Sequence, residues 1–147
     1  MKLGKNYCLS EFTSSDLAER KGYDIQVDKW TTEQIGRPEA CVMQPIRDEL
    51  GVPIIITSGF RPAWLNRLVN GSTASAHLYG CAADWVPVGM NLRTAFDRVK
   101  RLDIDVLDQL ILEPGWIHVG QALPGRIARK QYMTATRQGD RLVYANA

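Results

Sequence analysis

Two histidines and an aspartate are the candidate metal ligands of this sequence. His77 and Asp84 are seven residues apart in the stretch SAHLYGCAAD, on either side of a turn that contains Gly80. His118, the only other histidine, occurs in the segment VLDQLILEPGWIHVG. A hydrolytic zinc site typically has three protein ligands drawn from His, Asp and Glu, with a fourth position left open. A chain reversal at the glycine would bring His77 and Asp84 together, with His118 arriving from the later segment.

The segment around His118 is predicted to be a β-hairpin that also carries a catalytic base. Two apolar runs flank Pro114-Gly115, a turn-forming pair. If that pair is a two-residue turn, Glu113 faces Trp116 and Ile111 faces His118. These side chains then share one face, with Glu113 and His118 as diagonal neighbours roughly 7–8 Å apart at the backbone. Glu113 is therefore the candidate general base for hydrolysis.

Gln109 lies two residues before Ile111 and is expected on the same face, and both Gln109 and Trp116 are candidate substrate contacts that line the site. Pro-Gly pairs, however, favour type II turns, which fit two-residue hairpins poorly. A wider loop would loosen the register, so the placement of Glu113 beside His118 depends on this turn.

Each candidate residue also has a purely structural interpretation. A lone histidine is more often a hydrogen-bonded structural residue than a metal ligand, and an aspartate at a strand end is often a cap. Glu113 beside a turn is often only a solvated hairpin residue. The combination favours a site, because both histidines fall in segments that otherwise resemble core strands, where buried polar groups require partners.

The rest of the sequence predicts the elements that hold these residues. Hydrophobic periodicity, capping residues and turn-forming pairs indicate strands followed by helices and hairpins, the pattern of an α+β domain. Pro45 within the second helix predicts a kink or a break. The predicted elements are a helix at 14–20, a helix at 37–51 with Pro38 near its start, a strand at 52–58, a loop with one helical turn at 59–75, a strand at 81–88, a helix at 91–102, a hairpin at 106–120, and a C-terminal part of strand and irregular structure.

Composition excludes several classes of function. The length of 147 residues predicts one domain over residues 1–147. The formal net charge of +2 does not suit a dedicated nucleic-acid binder, and the basic residues between Arg126 and Arg141 are interpreted as a solvated face. Three cysteines with no metal-like spacing predict reduced, half-buried thiols. No apolar run predicts a signal peptide or a membrane span.

An ordered series of motifs resembles a known enzyme family. The residues that carry it are Ser58-Gly59-Phe60-Arg61-Pro62, Leu65-Asn66, the set Ser75, His77, Gly80, Ala82 and Asp84, then Trp116-Ile117-His118-Val119, together with the N-terminal LSEFTSSDLAERKG. The series is similar to that of the zinc D-Ala-D-Ala carboxypeptidases and L-alanyl-D-glutamate endopeptidases, in particular their small single-domain members from phages and bacteria. The resemblance covers residues 8 to 120, and the ordered set is more specific than any one motif.

The resemblance implies a role for each matching residue. His77, Asp84 and His118 would bind Zn²⁺, and Glu113 would be the catalytic base. Arg61 would bind or polarise the substrate, and Ser75 would help to orient it. Many family members place the base three residues before the last histidine, whereas Glu113 and His118 are five apart here. The implied fold is the small α+β fold shared with the hedgehog signalling domain, a central antiparallel sheet with helices packed on it.

The expected function is that of a zinc metallopeptidase that cleaves a peptide bond in the stem or cross-link peptides of bacterial peptidoglycan. Made in the host cytoplasm without a signal peptide, the protein would act after release by a holin or as a virion component bound to phage tail proteins. Neither nucleic acid nor membrane is an expected partner. Two alternatives stay open: a phage structural or interaction module that keeps the zinc-site fold without activity, and a zinc amidase or other small-molecule hydrolase with the same ligands.

Overall fold

A six-stranded sheet forms the centre of the computed structural model, which describes residues 1–147. The strands follow the spatial order β1-β2-β4-β3-β5-β6. All neighbouring pairs are antiparallel except β3 and β5, which are parallel. The expected antiparallel sheet is therefore present in β1 to β4, and the parallel pairing makes the whole sheet mixed. The strands are β1 (Ile54–Ser58), β2 (Ala82–Pro87), β3 (Leu107–Leu112), β4 (Ile117–Gln121), β5 (Gln131–Gln138) and β6 (Arg141–Asn146).

Helices lie before, between and against these strands, and the α+β class is confirmed. The α-helices are α1 (Leu9–Thr13), α2 (Asp16–Arg20), α3 (Lys29–Pro38), α4 (Gln44–Leu50), α5 (Ala63–Leu68) and α6 (Leu92–Lys100), with a π-helical turn at Glu39–Met43 and a 3₁₀ turn at Ala76–Tyr79. The short helix predicted at 14–20 is present as α2, whereas α1 before it was not predicted. None of the helices combines the length and the apolar character that crossing a membrane requires.

The second predicted helix begins earlier than expected. It starts at Lys29, where the side chain of Asp28 accepts a hydrogen bond from the Thr31 N–H and so caps the first turn. The prediction of a start near Pro38 is wrong, because Pro38 ends α3 rather than beginning a helix. The predicted irregularity at Pro45 is present as the π-helical turn just before it, where the Gln44 N–H bonds to the carbonyl of Glu39.

The two faces of the sheet have different roles. One face packs against α4 and α6 in the main hydrophobic core, to which Trp85, Leu110 and Ile117 contribute fully buried side chains. Side chains alternate along a strand, so Asp84, Ile111 and their cross-strand partners lie on the opposite face. The core therefore fixes the backbone of the same strands that present the candidate site.

The three cysteines are free thiols. Cys81 is buried, whereas Cys8 and Cys41 are exposed, so the prediction of half-buried thiols is wrong in detail. Burial raises the pKa of the Cys81 thiol, which keeps it protonated and makes it a small apolar group next to the site rather than a ligand.

Candidate metal centre

The hairpin of β3 and β4 has the predicted register. Leu112 pairs with Ile117 and Ile111 pairs with His118, and the Glu113 N–H donates to the carbonyl of Trp116 at 3.0 Å. Pro114-Gly115 is thus the two-residue loop on which the placement of Glu113 depended. Glu113 and His118 lie diagonally on one face, as the pattern of alternation predicts.

Asp84 and His118 come together because their strands are neighbours. Asp84 in β2 is the direct cross-strand partner of His118 in β4. Partners in an antiparallel pair project to the same side, and here the Oδ1 atom of Asp84 lies 2.8 Å from Nδ1 of His118. Both side chains are largely buried, with 13% and 15% of their surfaces exposed.

His77 reaches the same point from the 3₁₀ turn that precedes β2. Its Nε2 atom is 3.3 Å from Asp84 Oδ1 and 3.3 Å from His118 Nδ1. Gly80 ends this turn in the left-handed conformation (φ +68°), and a Cβ there would lie 2.9 Å from Cγ1 of Ile35 in α3. Glycine is therefore required at the turn between these two candidate ligands, because any other residue would have a strained backbone and a Cβ too close to Ile35.

A backbone carbonyl sets the orientation of the His77 ring. The Nδ1–H group of His77 donates to the carbonyl oxygen of Gly59 at 2.7 Å, which leaves Nε2 as the lone-pair atom that faces Asp84 and His118. Gly59 is itself packed against α1, since the Phe60 N–H donates to the carbonyl of Phe12 at 2.7 Å. A Cβ on Gly59 would lie 2.6 Å from the Cα atom of Phe12.

Replacing this glycine is expected to damage both fold and metal binding. In Gly59→Ala the new methyl group meets the α1 backbone, which cannot yield as a side chain can, and the carbonyl that holds His77 must move. We expect a loss of roughly 2–4 kcal/mol in the free energy of unfolding and a fall of about 10–100-fold in zinc affinity. Urea unfolding and competition with a chromophoric chelator measure the two effects.

The matched control is Gly36→Ala, the same change within α3, where an added Cβ meets nothing within 4 Å. This variant is expected to be neutral or slightly stabilised. If Gly59→Ala matched it in both stability and zinc affinity, the Gly59 carbonyl would have no role in fixing the ring.

The electrostatics of the cluster suit a cation. Burial lowers the pKa of His77, so its imidazole is neutral, the form that binds metals. Burial opposes ionisation of Asp84, but the two histidines outweigh it and hold the pKa of the carboxyl well below its usual range. Two imidazoles and one ionised carboxylate therefore converge, with the three ligand atoms within 4.8 Å of one another.

The distances between these atoms fit zinc. A tetrahedral ion with bonds of about 2.0–2.1 Å places its ligand atoms about 3.3 Å apart. The observed separations are 3.3, 3.3 and 2.8 Å. The shortest is the contact of His118 with Asp84, which is close enough for a hydrogen bond. The arrangement is a set of three candidate ligands, the number typical of a catalytic rather than a structural zinc site.

Glu113 is buried beside this cluster. Only 6% of the residue is exposed, and its Oε2 atom is buried without a hydrogen-bond partner. Its other oxygen, Oε1, accepts a hydrogen bond from the Tyr144 hydroxyl at 3.4 Å. Burial raises the pKa of Glu113, although the nearby His118 acts in the opposite direction. A raised carboxyl pKa suits proton transfer near neutral pH.

Arg61 and Ser75 lie on the other side of Asp84. Nη2 of Arg61 donates to the Ser75 hydroxyl at 3.5 Å, and the Arg61 N–H donates to the carbonyl of His77 at 3.0 Å. The Nε atom of Arg61 is buried without a partner. Arg61, Arg20 and Asp84 all line a cavity of about 290 Å³ between α2, β1 and α5.

Gln109 and Trp116 are the two other residues predicted to contact the substrate. Gln109 lies on the same face as the candidate ligands, but its side-chain Nε2 donates to the side-chain Oε1 of Gln131 at 2.9 Å at the exposed surface. Trp116 is partly buried on that face, opposite Glu113. Substrate contacts by these two residues stay predictions. Sequence reasoning missed Tyr144 altogether, because its contact with Glu113 depends on the pairing of β5 with β3, which no local pattern specifies.

Comparison with known proteins agrees with this geometry. A family model described as Peptidase M15 matches residues 5–120, which include the three candidate ligands, Glu113 and Arg61. No curated protein gave a significant match.

Proposed function

Because the chain belongs to the peptidase M15 family, the zinc D-Ala-D-Ala carboxypeptidase family, and is on that basis a metallopeptidase, we propose that it hydrolyses a peptide bond in bacterial peptidoglycan. The substrate would be a stem or cross-link peptide that contains D-amino acids. The observation that carries the proposal is the convergence of His77, Asp84 and His118 beside a buried carboxylate with a free oxygen, Glu113.

Each residue has a distinct task in this proposal. His77, Asp84 and His118 would hold the zinc ion, which when bound supplies Lewis-acid polarisation of the scissile carbonyl and activates water for attack. Glu113 accepts the proton of the attacking water and passes it to the leaving amine. Its burial supports this role, because a carboxyl group with a raised pKa can both take and return a proton near neutral pH.

Arg61 is suited to bind an anionic part of the substrate. It carries a permanent charge on a planar fork of donors that matches a carboxylate. Its unpartnered Nε and its position on the cavity beside Asp84 leave donors for a ligand. Ser75 holds Nη2 and so orients the fork. A carboxylate of the stem peptide, or the scissile carbonyl next to it, is the proposed partner.

The Arg61→Lys variant tests this assignment. It keeps the charge but loses the fork, so we expect kcat/KM on peptidoglycan fragments to fall by roughly 10–100-fold, equivalent to about 1.4–2.8 kcal/mol. Zinc affinity should be unchanged, because Arg61 is not a ligand. The control is Arg93→Lys on α6, whose side chain is 55% exposed and lies 3.8 Å from the carboxylate of Asp97. Equal values of kcat/KM for the two variants would show that Arg61 does not bind the substrate.

The biological setting is a further part of the proposal. The N-terminal LSEFTSSDLAERKG resembles the opening of the small single-domain members of the family, which come from phages and bacteria. We therefore propose a phage lysin or a virion-associated wall hydrolase, which meets its substrate after release by a holin or as part of the particle.

Digestion of purified peptidoglycan tests the proposed function. The zinc-loaded protein is incubated with walls of known chemotype, and new termini are mapped by mass spectrometry. New amino and carboxyl ends within the stem or cross-link peptide are expected, and their position identifies the bond. Loss of the amide bond between sugar and peptide would instead favour the amidase. Intact walls after incubation with the folded, zinc-loaded protein would favour the structural module.

A further inference from the structure

The hairpin of β5 and β6 contributes a side chain to the candidate active site from outside the matched family segment. This hairpin spans residues 131 to 146, whereas the family match ends at residue 120. β5 pairs in parallel with β3, the strand that leads to Glu113. The hydroxyl of Tyr144 in β6 lies 3.4 Å from Oε1 of Glu113.

The strand register explains how β6 reaches across β5. Leu112 pairs with Thr134, so Glu113 follows beside Ala135, and Ala135 pairs with Tyr144. The three side chains form one row on the ligand face of the sheet. Ala135 is 7% exposed and carries only a methyl group. A small residue in the middle of the row leaves room for the tyrosine ring to lie over β5 towards the carboxylate.

We propose that Tyr144 is a positioning residue for Glu113. Its hydroxyl holds Oε1 and thereby presents Oε2, the oxygen without a partner, for proton transfer. The inference rests on the proposed function, since it assigns a task within the same hydrolysis. Tyr144 is the only side chain that hydrogen-bonds to Glu113.

Two properties of Tyr144 suit this role. Burial and the nearby Glu113 carboxylate raise the pKa of Tyr144, so the hydroxyl remains a donor at neutral pH. The distance of 3.4 Å is long for an O–H···O hydrogen bond. Catalytic hydrogen bonds are often long before substrate binds and shorten in the complex. Because the tyrosine is about half exposed, it can move the small distance that this shortening requires.

Kinetics of Tyr144→Phe test the proposal. We expect kcat to fall by roughly 3–10-fold and KM to change less than about twofold, because one hydrogen bond to a charged group is lost and no substrate contact is removed. Zinc content and melting temperature should match the wild type. Tyr132→Phe is the control, since Tyr132 pairs with Leu110 and packs on the core side of β5, away from Glu113.

A double-mutant cycle separates an effect through Glu113 from a general one. In Glu113→Asp the carboxylate is one methylene shorter and out of reach of the hydroxyl. Tyr144→Phe should then cause little further loss in that background. A second readout needs no substrate: with ¹³C-labelled tyrosine, the Tyr144 ring signal, assigned by its absence in Tyr144→Phe, should shift in Glu113→Gln more than the signals of the other tyrosines.

The outcomes distinguish the inference from the function on which it rests. An active wild type with unchanged kcat in Tyr144→Phe, or full additivity with Glu113→Asp, would overturn the positioning role and leave the peptidase intact. A Tyr144 ring signal that does not shift in Glu113→Gln would also count against the contact between Tyr144 and Glu113. A wild type that cleaves no peptide bond would overturn the proposed function, and the catalytic task of Tyr144 with it.

Discussion

Glu113→Gln is expected to abolish peptidoglycan hydrolysis while leaving a folded, zinc-binding protein. The amide has nearly the shape of the carboxylate but cannot accept a proton, so the rate should fall by roughly 10²–10⁴-fold. The three ligand atoms belong to other residues, so zinc affinity should be close to that of the wild type. Hydrolysis rates and metal content of the same preparation give both values.

The stability of this variant has a predictable sign. Burial raises the pKa of Glu113 in the folded protein, so its ionised form is disfavoured there, and the carboxylate lowers stability as pH rises through that pKa. The neutral amide removes this penalty. The melting temperature of Glu113→Gln at pH 8 should therefore equal or exceed that of the wild type, with less difference at pH 4.

The matched control is Glu33→Gln on the exposed surface of α3, which should change neither rate nor zinc content. Retention of more than about a tenth of wild-type activity in Glu113→Gln would exclude Glu113 as the base, since general base catalysis contributes at least about a hundredfold. An inactive variant that has also lost its zinc would point to a structural defect.

Asp84→Ala is expected to remove zinc binding. Asp84 lies between the two histidines and provides the only negative charge among the three ligand atoms. Zinc affinity should fall by more than about 100-fold, the upper end of the loss that an outer-shell partner causes. Without zinc the variant should also unfold more easily, because the Nδ1 group of His118 loses the carboxylate oxygen that accepts its hydrogen bond at 2.8 Å.

Thermal unfolding with and without zinc measures this effect. A ligand at 100 times its dissociation constant stabilises a protein by about 2.7 kcal/mol, which raises the melting temperature of a domain of this size by roughly 5–10 °C. Wild type should show such a shift and Asp84→Ala almost none. Asp97→Ala on α6, a surface aspartate 3.8 Å from Arg93, is the control and should respond as the wild type does. An equal zinc response in all three proteins would place the metal elsewhere.

The hairpin and the turn between two of the candidate ligands could be predicted from sequence because they follow local rules. The alternation of side chains around Pro114-Gly115 was enough to place Glu113 diagonally from His118, and the structure confirms that register. The glycine turn between His77 and Asp84 likewise indicated a chain reversal. Gly80 makes it in the left-handed conformation that glycine tolerates best.

Features that depend on distant contacts were not predictable in this way. The sequence pattern favours a start of the second helix near Pro38, because proline is common at helix starts, whereas the N-cap in the structure is Asp28. The parallel pairing of β5 with β3 joins segments separated by a long connection, and no local pattern specifies it. Tyr144 reaches Glu113 only through that pairing, and the Gly59 carbonyl reaches His77 only through the fold.

Reconstitution of the metal-stripped protein is the most direct test of a zinc peptidase centred on His77, Asp84 and His118. Zinc is removed with a chelator and returned in measured increments, and cleavage of stem peptides in purified peptidoglycan is followed at each step. Cleavage should be lost on stripping, return in proportion to added zinc and level off at about one ion per chain. Full cleavage by the stripped protein, with no response to zinc, would contradict the account.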